Sequence, residues 1–437
     1  MKIEQSNIKA RPHLALLLDN LTTGGVQRVI LSLAEKLANM GYRIDLLVCD
    51  TPVATDMAVP ANIAVIELTK SRKIARMGQI ACGQGWQTSR YTLLPVPALR
   101  RALRFLGSLE RYLRQARPAA LLSPKPALNV LAILARERAD WPGRVVVSEH
   151  TQFTGGQAWE ALATVAAATY RRADAVTAVS EGVASNLAAT IGLSPDRITT
   201  IYNPVDIASI RASSGAEIDR PWPTDAHACE MILGVGELTE RKDFATLVRA
   251  FARVRAQRPC RLVLLGDGPE RDRLTELSRD LRIESDVYMP GAQKNVYAWM
   301  ACANVLVSSS RREGFGMVLA EALAVGCPVV STACPSGPAE VLRDGRDGRL
   351  VPVGDDHALA SAIVATLERP PDPADLRKRA ADFSMDTAAR AYLNLLLPSY
   401  DELPRPDTGE RLARSTLTFP DQGCPRHADH VDPSPTE

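Results

Sequence analysis

The strongest constraint in this chain is an alternation that occurs twice. Short apolar runs are each followed by a longer segment of helical periodicity. Strand-then-helix repetition is the pattern of parallel sheets whose crossover helices cover both faces. In the first half, strands are read at 14–19, 44–49, 64–68, 120–123, 144–149, 175–179 and 198–202, with helices over 25–40, 97–116, 127–138, 157–172 and 181–191. The pattern lapses after Asn203-Pro204-Val205-Asp206 and restarts near residue 229. Strands then fall at 231–236, 261–266, 286–290, 303–309, 328–332 and 348–353, and helices near 242–257, 270–281, 294–301, 316–325 and 355–368.

The expected fold class is therefore α/β, with two Rossmann-like, doubly wound parallel-sheet lobes. Residues 1–205 form the first, 206–228 a linker and 229–383 the second. A helix over 384–401 is expected to pack back on the first lobe. The last 36 residues, 402–437, hold only eight apolar residues and six prolines, so they are expected to form a disordered tail. In doubly wound sheets ligands bind at the carboxyl ends of the strands, which puts the expected site in the cleft between lobes.

A chain of 437 residues can bury a large core without disulfide or metal staples. Its 52 basic and 50 acidic residues give a net charge of +2, which argues against a dedicated nucleic-acid binder. The balance hides an asymmetry: residues 1–205 carry +9 and the rest −7. Only the first lobe would favour an anionic surface. The cysteines (Cys49, Cys82, Cys229, Cys260, Cys302, Cys327, Cys334 and Cys424) are scattered without a Cys-x-x-Cys pair, so they read as free thiols of a reducing cytoplasm. The polar start, MKIEQSNIKARPH, has no signal-peptide core, and no apolar run approaches the length of a bilayer span.

Chemistry concentrates in Ser308–Ala322. A strand ends in a serine cluster, a Gly-flanked loop follows, and a helix opens near Gly316. Backbone amides of Phe315 to Val318 would point into the cleft, a site for phosphate or an electron-rich hydroxyl. Glu313 precedes this turn and Glu321 lies more than a turn inside the helix. Spaced eight apart, the two carboxylates are not an i, i+4 pair and are better placed to hold two parts of one elongated ligand.

With Gly326-Cys327-Pro328-Val329-Val330-Ser331 and Pro335-Ser336-Gly337-Pro338-Ala339-Glu340 behind it, this Glu-x7-Glu segment resembles glycosyltransferase family 4. These are retaining, nucleotide-sugar-dependent enzymes of the two-lobed GT-B fold. The resemblance covers about residues 12–400. It includes Gly24-Gly25, Glu149-His150, Val179-Ser180-Glu181, Asn203-Pro204-Val205-Asp206, Gly234-Val235-Gly236, Lys242-Asp243-Phe244 and Gly266-Asp267-Gly268-Pro269. It implies that Glu313 accepts hydrogen bonds from the donor sugar and Glu321 from the ribose. Amides of Gly316, Met317, Val318 and Leu319 would hold the diphosphate, with Lys242 as counter-charge. His150 would contact the donor sugar near its reacting carbon. Gly24 and Gly25 would let backbone approach phosphate and acceptor closely. No cofactor or metal is expected, because the nucleoside diphosphate sugar is a co-substrate and no acidic cluster has divalent-ion spacing.

One departure stands out. Many members carry arginine directly after the glycine matching Gly236, whereas this chain has Glu237. Either Arg241 replaces that arginine, or the clamp rests on Lys242 and the helix dipole.

Between Leu99 and Arg117, Leu99, Leu103, Leu106, Leu109 and Leu113 form an apolar stripe opposite a face of net charge +5, carried by Arg100, Arg101, Arg104, Arg111, Arg114 and Arg117 against Glu110. The stripe reads as core packing with a solvated basic face, or as a helix that docks on anionic lipid. The expected protein is thus a cytoplasmic hexosyltransferase, with peripheral attachment to the inner face of the membrane left open. Its partners would be a nucleotide-sugar donor and a glycan or lipid-linked acceptor of polysaccharide, lipopolysaccharide or glycolipid synthesis. Two rivals stay open: a sugar phosphorylase or epimerase on the same architecture, and a non-catalytic binder of sugar nucleotides or glycans.

Overall fold

The structure, a computed structural model, describes residues 12–22, 24–50, 57–71, 96–222 and 229–398. Seven parallel strands build the first sheet: β1 (His13–Leu18), β2 (Arg43–Val48), β3 (Ala64–Glu67), β4 (Ala120–Pro124), β5 (Arg144–Glu149), β6 (Ala175–Ala178) and β7 (Ile198–Thr200). Their order is β3-β2-β1-β4-β5-β6-β7. Six more form the second: β8 (Glu230–Val235), β9 (Cys260–Leu265), β10 (Val287–Gly291), β11 (Val305–Ser308), β12 (Val329–Thr332) and β13 (Arg349–Val351), ordered β10-β9-β8-β11-β12-β13. All strands run parallel, and the strand order of each sheet reverses once, between β1 and β4 and between β8 and β11.

Burial explains the unbroken apolar runs. Every residue of β1 is buried. Leu14, Leu16 and Leu18 enter one core cluster with Ile30 and Leu33 of helix Gly25–Asn39. Ala15 and Leu17 enter another with Leu131 and Ala135 of helix Pro126–Ala139. A strand covered on both faces has no reason to alternate, and each leucine so buried stabilises the fold by about 1.5–3 kcal/mol.

A third cluster crosses the lobe boundary. Val179, Val183 and Val205 of the first lobe share it with Phe315, Leu319 and Phe383 of the second. The chain passes between lobes twice, side by side: the Val205 amide donates to the Phe383 carbonyl at 2.9 Å. Helix Met385–Leu396 then lies on the first sheet, where Ala388, Ala389, Tyr392 and Leu396 join the Leu14–Leu16 cluster.

Two expectations change. The segment read as a linker carries a helix, Ile207–Ser214, capped by the Asp206 side chain and packed on helices Val296–Cys302 and Met317–Val325. Only Ile210 of that helix is buried, so its sequence shows almost no periodicity. The single helix read over 97–116 is two, Pro97–Ala102 and Leu106–Ala116, joined by a 3-10 turn at Leu103–Phe105. Its leucine stripe is wholly buried and its six arginines are exposed. The tail read at 402–437 lies outside the described residues, as do 399–401, Cys82 and Cys424. The six described cysteines are free thiols. Among the described residues no helix is long and apolar enough to cross a membrane.

Candidate active site

The two strand-order reversals face each other across the cleft, so loops from four strand ends meet there. On the second lobe, the segment after β8 and the loop after β11 are stitched by backbone: the Arg311 amide donates to the Arg241 carbonyl at 2.8 Å. That stitch sets their side chains together. Lys242 Nζ lies 2.5 Å from Glu313 Oε1, and Arg241 Nη1 lies 3.4 Å from Glu313 Oε2. Ser310 Oγ donates to the same carboxylate at 2.7 Å. Burial alone would raise the Glu313 carboxyl, but Lys242 and Arg241 outweigh it and hold the group below the usual carboxylate range. Glu237 is exposed and takes no part in this network.

Gly316, at φ +90°, turns the chain into helix Met317–Val325. A side chain at that φ would be strained, and the turn aims the first-turn amides back along the loop. Of these, the Leu319 amide already donates to the Gly316 carbonyl at 2.9 Å. Glu321 sits on the helix's buried side. Its Oε1 lies 3.7 Å from Arg28 Nη1 and 3.5 Å from the Tyr297 hydroxyl. Burial raises this carboxyl, and Arg28 and the Tyr297 bond offset only part of the rise. Arg28 belongs to helix Gly25–Asn39, so this contact spans the cleft. The two glutamates thus serve separate networks.

On the first lobe, Gly24 caps and Gly25 opens that helix, and a methyl group added at Gly25 would meet no atom within 4 Å. Asp19, just past β1, accepts both hydrogen bonds of Lys125 Nζ, at 2.8 and 2.7 Å. Lys125, just past β4, holds φ +75° and ψ 136°, a backbone state that costs a non-glycine residue about 1–3 kcal/mol. His150 follows β5. Its Nε2 meets Ser148 Oγ at 3.2 Å, and Ser148 Oγ meets the Tyr392 hydroxyl at 3.2 Å. Its Nδ1 is buried without a partner among the described residues. Burial and the Lys125 charge push the imidazole down to about 3, so it is neutral at physiological pH. Neighbouring Glu149 is fully buried, receives hydrogen bonds from the Tyr170 hydroxyl and from Asn129 Nδ2, and is pushed by burial up to about 8.

The lobes touch around these groups. A Cβ on Gly314 would lie 2.1 Å from the His150 carbonyl oxygen, so only glycine lets the two loops meet. Ser180 Oγ donates to the Gly314 carbonyl at 2.7 Å, and Glu340 accepts from the Glu181 and Gly182 amides at 2.7 and 2.9 Å. Beside His150 opens a cavity of about 490 Å³, lined by Asp19, Asp50, Lys125 and Arg101 and otherwise mostly apolar. Among the described residues no group of three His, Cys, Asp or Glu side chains is arranged to hold a metal ion.

The structure therefore gathers His150, Gly24, Gly25, Arg241, Lys242, Glu313, Glu321 and the Gly316–Leu319 turn around one cleft. Sequence reasoning missed Asp19, Arg28, Lys125 and Tyr297. Asp19 and Lys125 stand where the strand order reverses, which alone marks them. Arg28 and Tyr297 carry no comparable signal, because each matters only through its distance to Glu321.

Two parallel-sheet lobes closing on a cleft of this kind define the GT-B glycosyltransferase fold. The comparisons agree. Residues 23–209 match the family described as Glycosyltransferase Family 4, and residues 229–369 match Glycosyl transferases group 1. The chain belongs to glycosyltransferase family 4. It is 31% identical over 223 residues to the N-acetylgalactosamine-N,N'-diacetylbacillosaminyl-diphospho-undecaprenol 4-alpha-N-acetylgalactosaminyltransferase of Campylobacter jejuni, covering 51% of this chain and 57% of that one. It is 34% identical over 236 residues to the lipopolysaccharide core biosynthesis glycosyltransferase LpsE of Rhizobium meliloti, covering 52% and 65%. The chain thus spans less than two thirds of either relative's length. Anabaena HepE, solved with UDP and glucose, superposes with a TM-score of 0.67 at 18% identity, covering 89% of this chain and 100% of that one.

Proposed function

We propose that this protein is a retaining glycosyltransferase that moves a sugar from a nucleoside diphosphate donor to a hydroxyl of a glycan or lipid-linked acceptor. The observation that carries the proposal is the convergence of Lys242, Arg241 and Glu313 at the start of helix Met317–Val325, directly across from His150. Anion-binding amides, two cations and a carboxylate at one loop suit a sugar bonded to a diphosphate.

In this reading the diphosphate rests on the amides of Gly316, Met317 and Val318, since that of Leu319 is held by the Gly316 carbonyl, with Lys242 and Arg241 neutralising its charge. Arg241 then supplies the cation absent at Glu237. Glu313 accepts hydrogen bonds from sugar hydroxyls, and Glu321, already neighboured by Tyr297 and Arg28, accepts from the ribose. The bond from the sugar's anomeric carbon to the diphosphate breaks, and its electron pair leaves on the phosphate oxygen. The acceptor oxygen bonds to that carbon from the same face and gives its proton to the departing phosphate. Neutral His150, held through Nε2 by Ser148, turns Nδ1 toward the sugar near the reacting carbon. Cations and helix amides supply the leaving-group stabilisation, so the reading calls for no metal.

The acceptor belongs to surface polysaccharide, lipopolysaccharide or glycolipid synthesis: one relative's name places it in lipopolysaccharide core biosynthesis, and the other's names a diphospho-undecaprenol. The reaction would run on the cytoplasmic side, with the exposed arginines after Leu99 holding the enzyme peripherally on an anionic membrane. Binding of a panel of nucleoside diphosphates and their sugars, measured by calorimetry, tests the donor reading. Tight binding of at least one diphosphate, lost in Lys242→Ala, is expected. No binding across uridine and guanosine diphosphates and their common sugars would overturn it.

A further inference from the structure

The cavity beside His150 is divided in character. Its polar lining includes His150, Lys125 and Asp19, the last two joined by a two-point ion pair. Beyond them the walls are Val26, Val96, Phe105, Leu128, Trp159 and Leu162. Two further charged residues line the space: Asp50, ion-paired with Lys70, and Arg101, on helix Pro97–Ala102, which is exposed and has no hydrogen bond or ion pair with the described residues. At about 490 Å³ the cavity lies within the roughly 300–1,000 Å³ of small-molecule sites.

We infer that this cavity is a subsite for an anionic amphiphile: it takes a lipid phosphate, with hydrocarbon against the apolar walls and phosphate on Arg101. The inference rests on the proposed transfer reaction and names the acceptor's class. A free glycan would leave so apolar a wall unmatched, since sugar hydroxyls set against hydrocarbon lose their hydrogen bonds to water. A neutral lipid would leave Arg101 without a role, whereas a phosphate meets its planar fork at two points. The strained backbone of Lys125 belongs to the same picture. Its conformation holds Nζ on Asp19 and close enough to act on His150, so the acceptor's reacting hydroxyl meets lining groups whose donors and acceptors are already fixed. Arg101 also shares its helix with Arg100, on the basic surface that faces outward. A membrane-borne phosphate reaching that surface finds the cavity beside it.

Calorimetric titration of dodecyl phosphate below its micelle concentration tests the inference, with octyl glucoside and inorganic phosphate as comparison probes. Dodecyl phosphate should bind the wild-type chain more tightly than either comparison probe. Ala98→Trp and Ala158→Trp, which place a bulky ring at exposed lining positions, should each weaken dodecyl phosphate by about tenfold or more. Arg101→Gln should weaken it by about tenfold, the loss of one charge-assisted contact, and leave octyl glucoside within about twofold. The nucleoside diphosphate bound by the wild type, uridine or guanosine, should keep its affinity in all three variants and so reports that each is folded. Failure of dodecyl phosphate to bind, equal affinity in both tryptophan variants, or inorganic phosphate binding as tightly as dodecyl phosphate would each overturn the inference. If dodecyl phosphate behaves as expected and no nucleoside diphosphate binds, the cavity assignment stands and the donor reading falls.

Discussion

Replacing Glu149 with glutamine should make the stability of this protein less dependent on pH. The Glu149 side chain is fully buried, and its Oε1 accepts from the Tyr170 hydroxyl and Asn129 Nδ2 while Oε2 has no partner among the described residues. No cation among the described residues pairs with it, and the Tyr170 hydroxyl is itself pushed well up by burial and by Glu149, so it stays a donor. Burial therefore moves the carboxyl from 4.5 to about 8. Below the unfolded value the group is protonated in both states and costs nothing. Between the two values the folded chain holds a proton that the unfolded chain has released, so stability falls by about 1.4 kcal/mol per pH unit. Above about pH 8 the loss levels off near 5 kcal/mol. Glutamine keeps the neutral shape and cannot ionise. Urea unfolding of wild type and Glu149→Gln, at intervals from about pH 5 to about pH 9, isolates the residue by difference, because every other titrating group cancels. The difference should turn in favour of the variant by about 4 kcal/mol across that range. A stability difference that is flat with pH would refute the reasoning, since Glu149 would then be ionised or neutral in both states alike.

Two further outcomes follow from the cleft and a third from the exposed arginine face. Glu321→Ala should weaken the free nucleoside diphosphate by about 1.5–3 kcal/mol, whereas Glu313→Gln should leave nucleotide affinity nearly unchanged and reduce transfer. Equal affinity of wild type and both variants in calorimetry would sink the separation of roles. Lys242→Ala should damage diphosphate binding far more than nucleoside binding, and Arg241→Ala should do the same if it substitutes for the cation missing at Glu237. Wild-type affinity in Arg241→Ala would leave Lys242 and the helix terminus as the whole clamp. Vesicles containing anionic lipid should co-sediment the protein at low salt and release it at high salt, with Arg100→Gln and Arg104→Gln each costing about 1 kcal/mol. Indifference to anionic vesicles at low salt would make the arginine face a solvated surface only.

Much of the architecture is legible without coordinates because both sheets are covered on both faces. Such strands must be apolar throughout, so LALLLD, RVVVSE and RLVLLG announce themselves as buried strands. The positions of Glu313, Lys242 and His150 were equally legible, as each sits near a strand end or a helix start, and Glu321 was legible as lying inside the helix that follows Gly316. Elements that bury little were not. Helix Ile207–Ser214 buries one residue, and the break at Leu103–Phe105 leaves the leucine spacing intact while changing the hydrogen bonding beneath it.

The amino-acid sequence by itself determined the elements, their parallel winding and the loops that carry chemistry, because hydrophobic periodicity and helix-terminus signals act over only a few residues. Tertiary structure alone decided which of those loops meet. It set Lys125 on Asp19 and Lys242 on Glu313, and it carried Arg28 across the cleft to Glu321. It also placed the Tyr392 hydroxyl of the last helix behind Ser148 and His150. Contacts between residues this far apart depend on strand order and lobe closure, which rest on the sum of the whole core and leave no local mark on either partner.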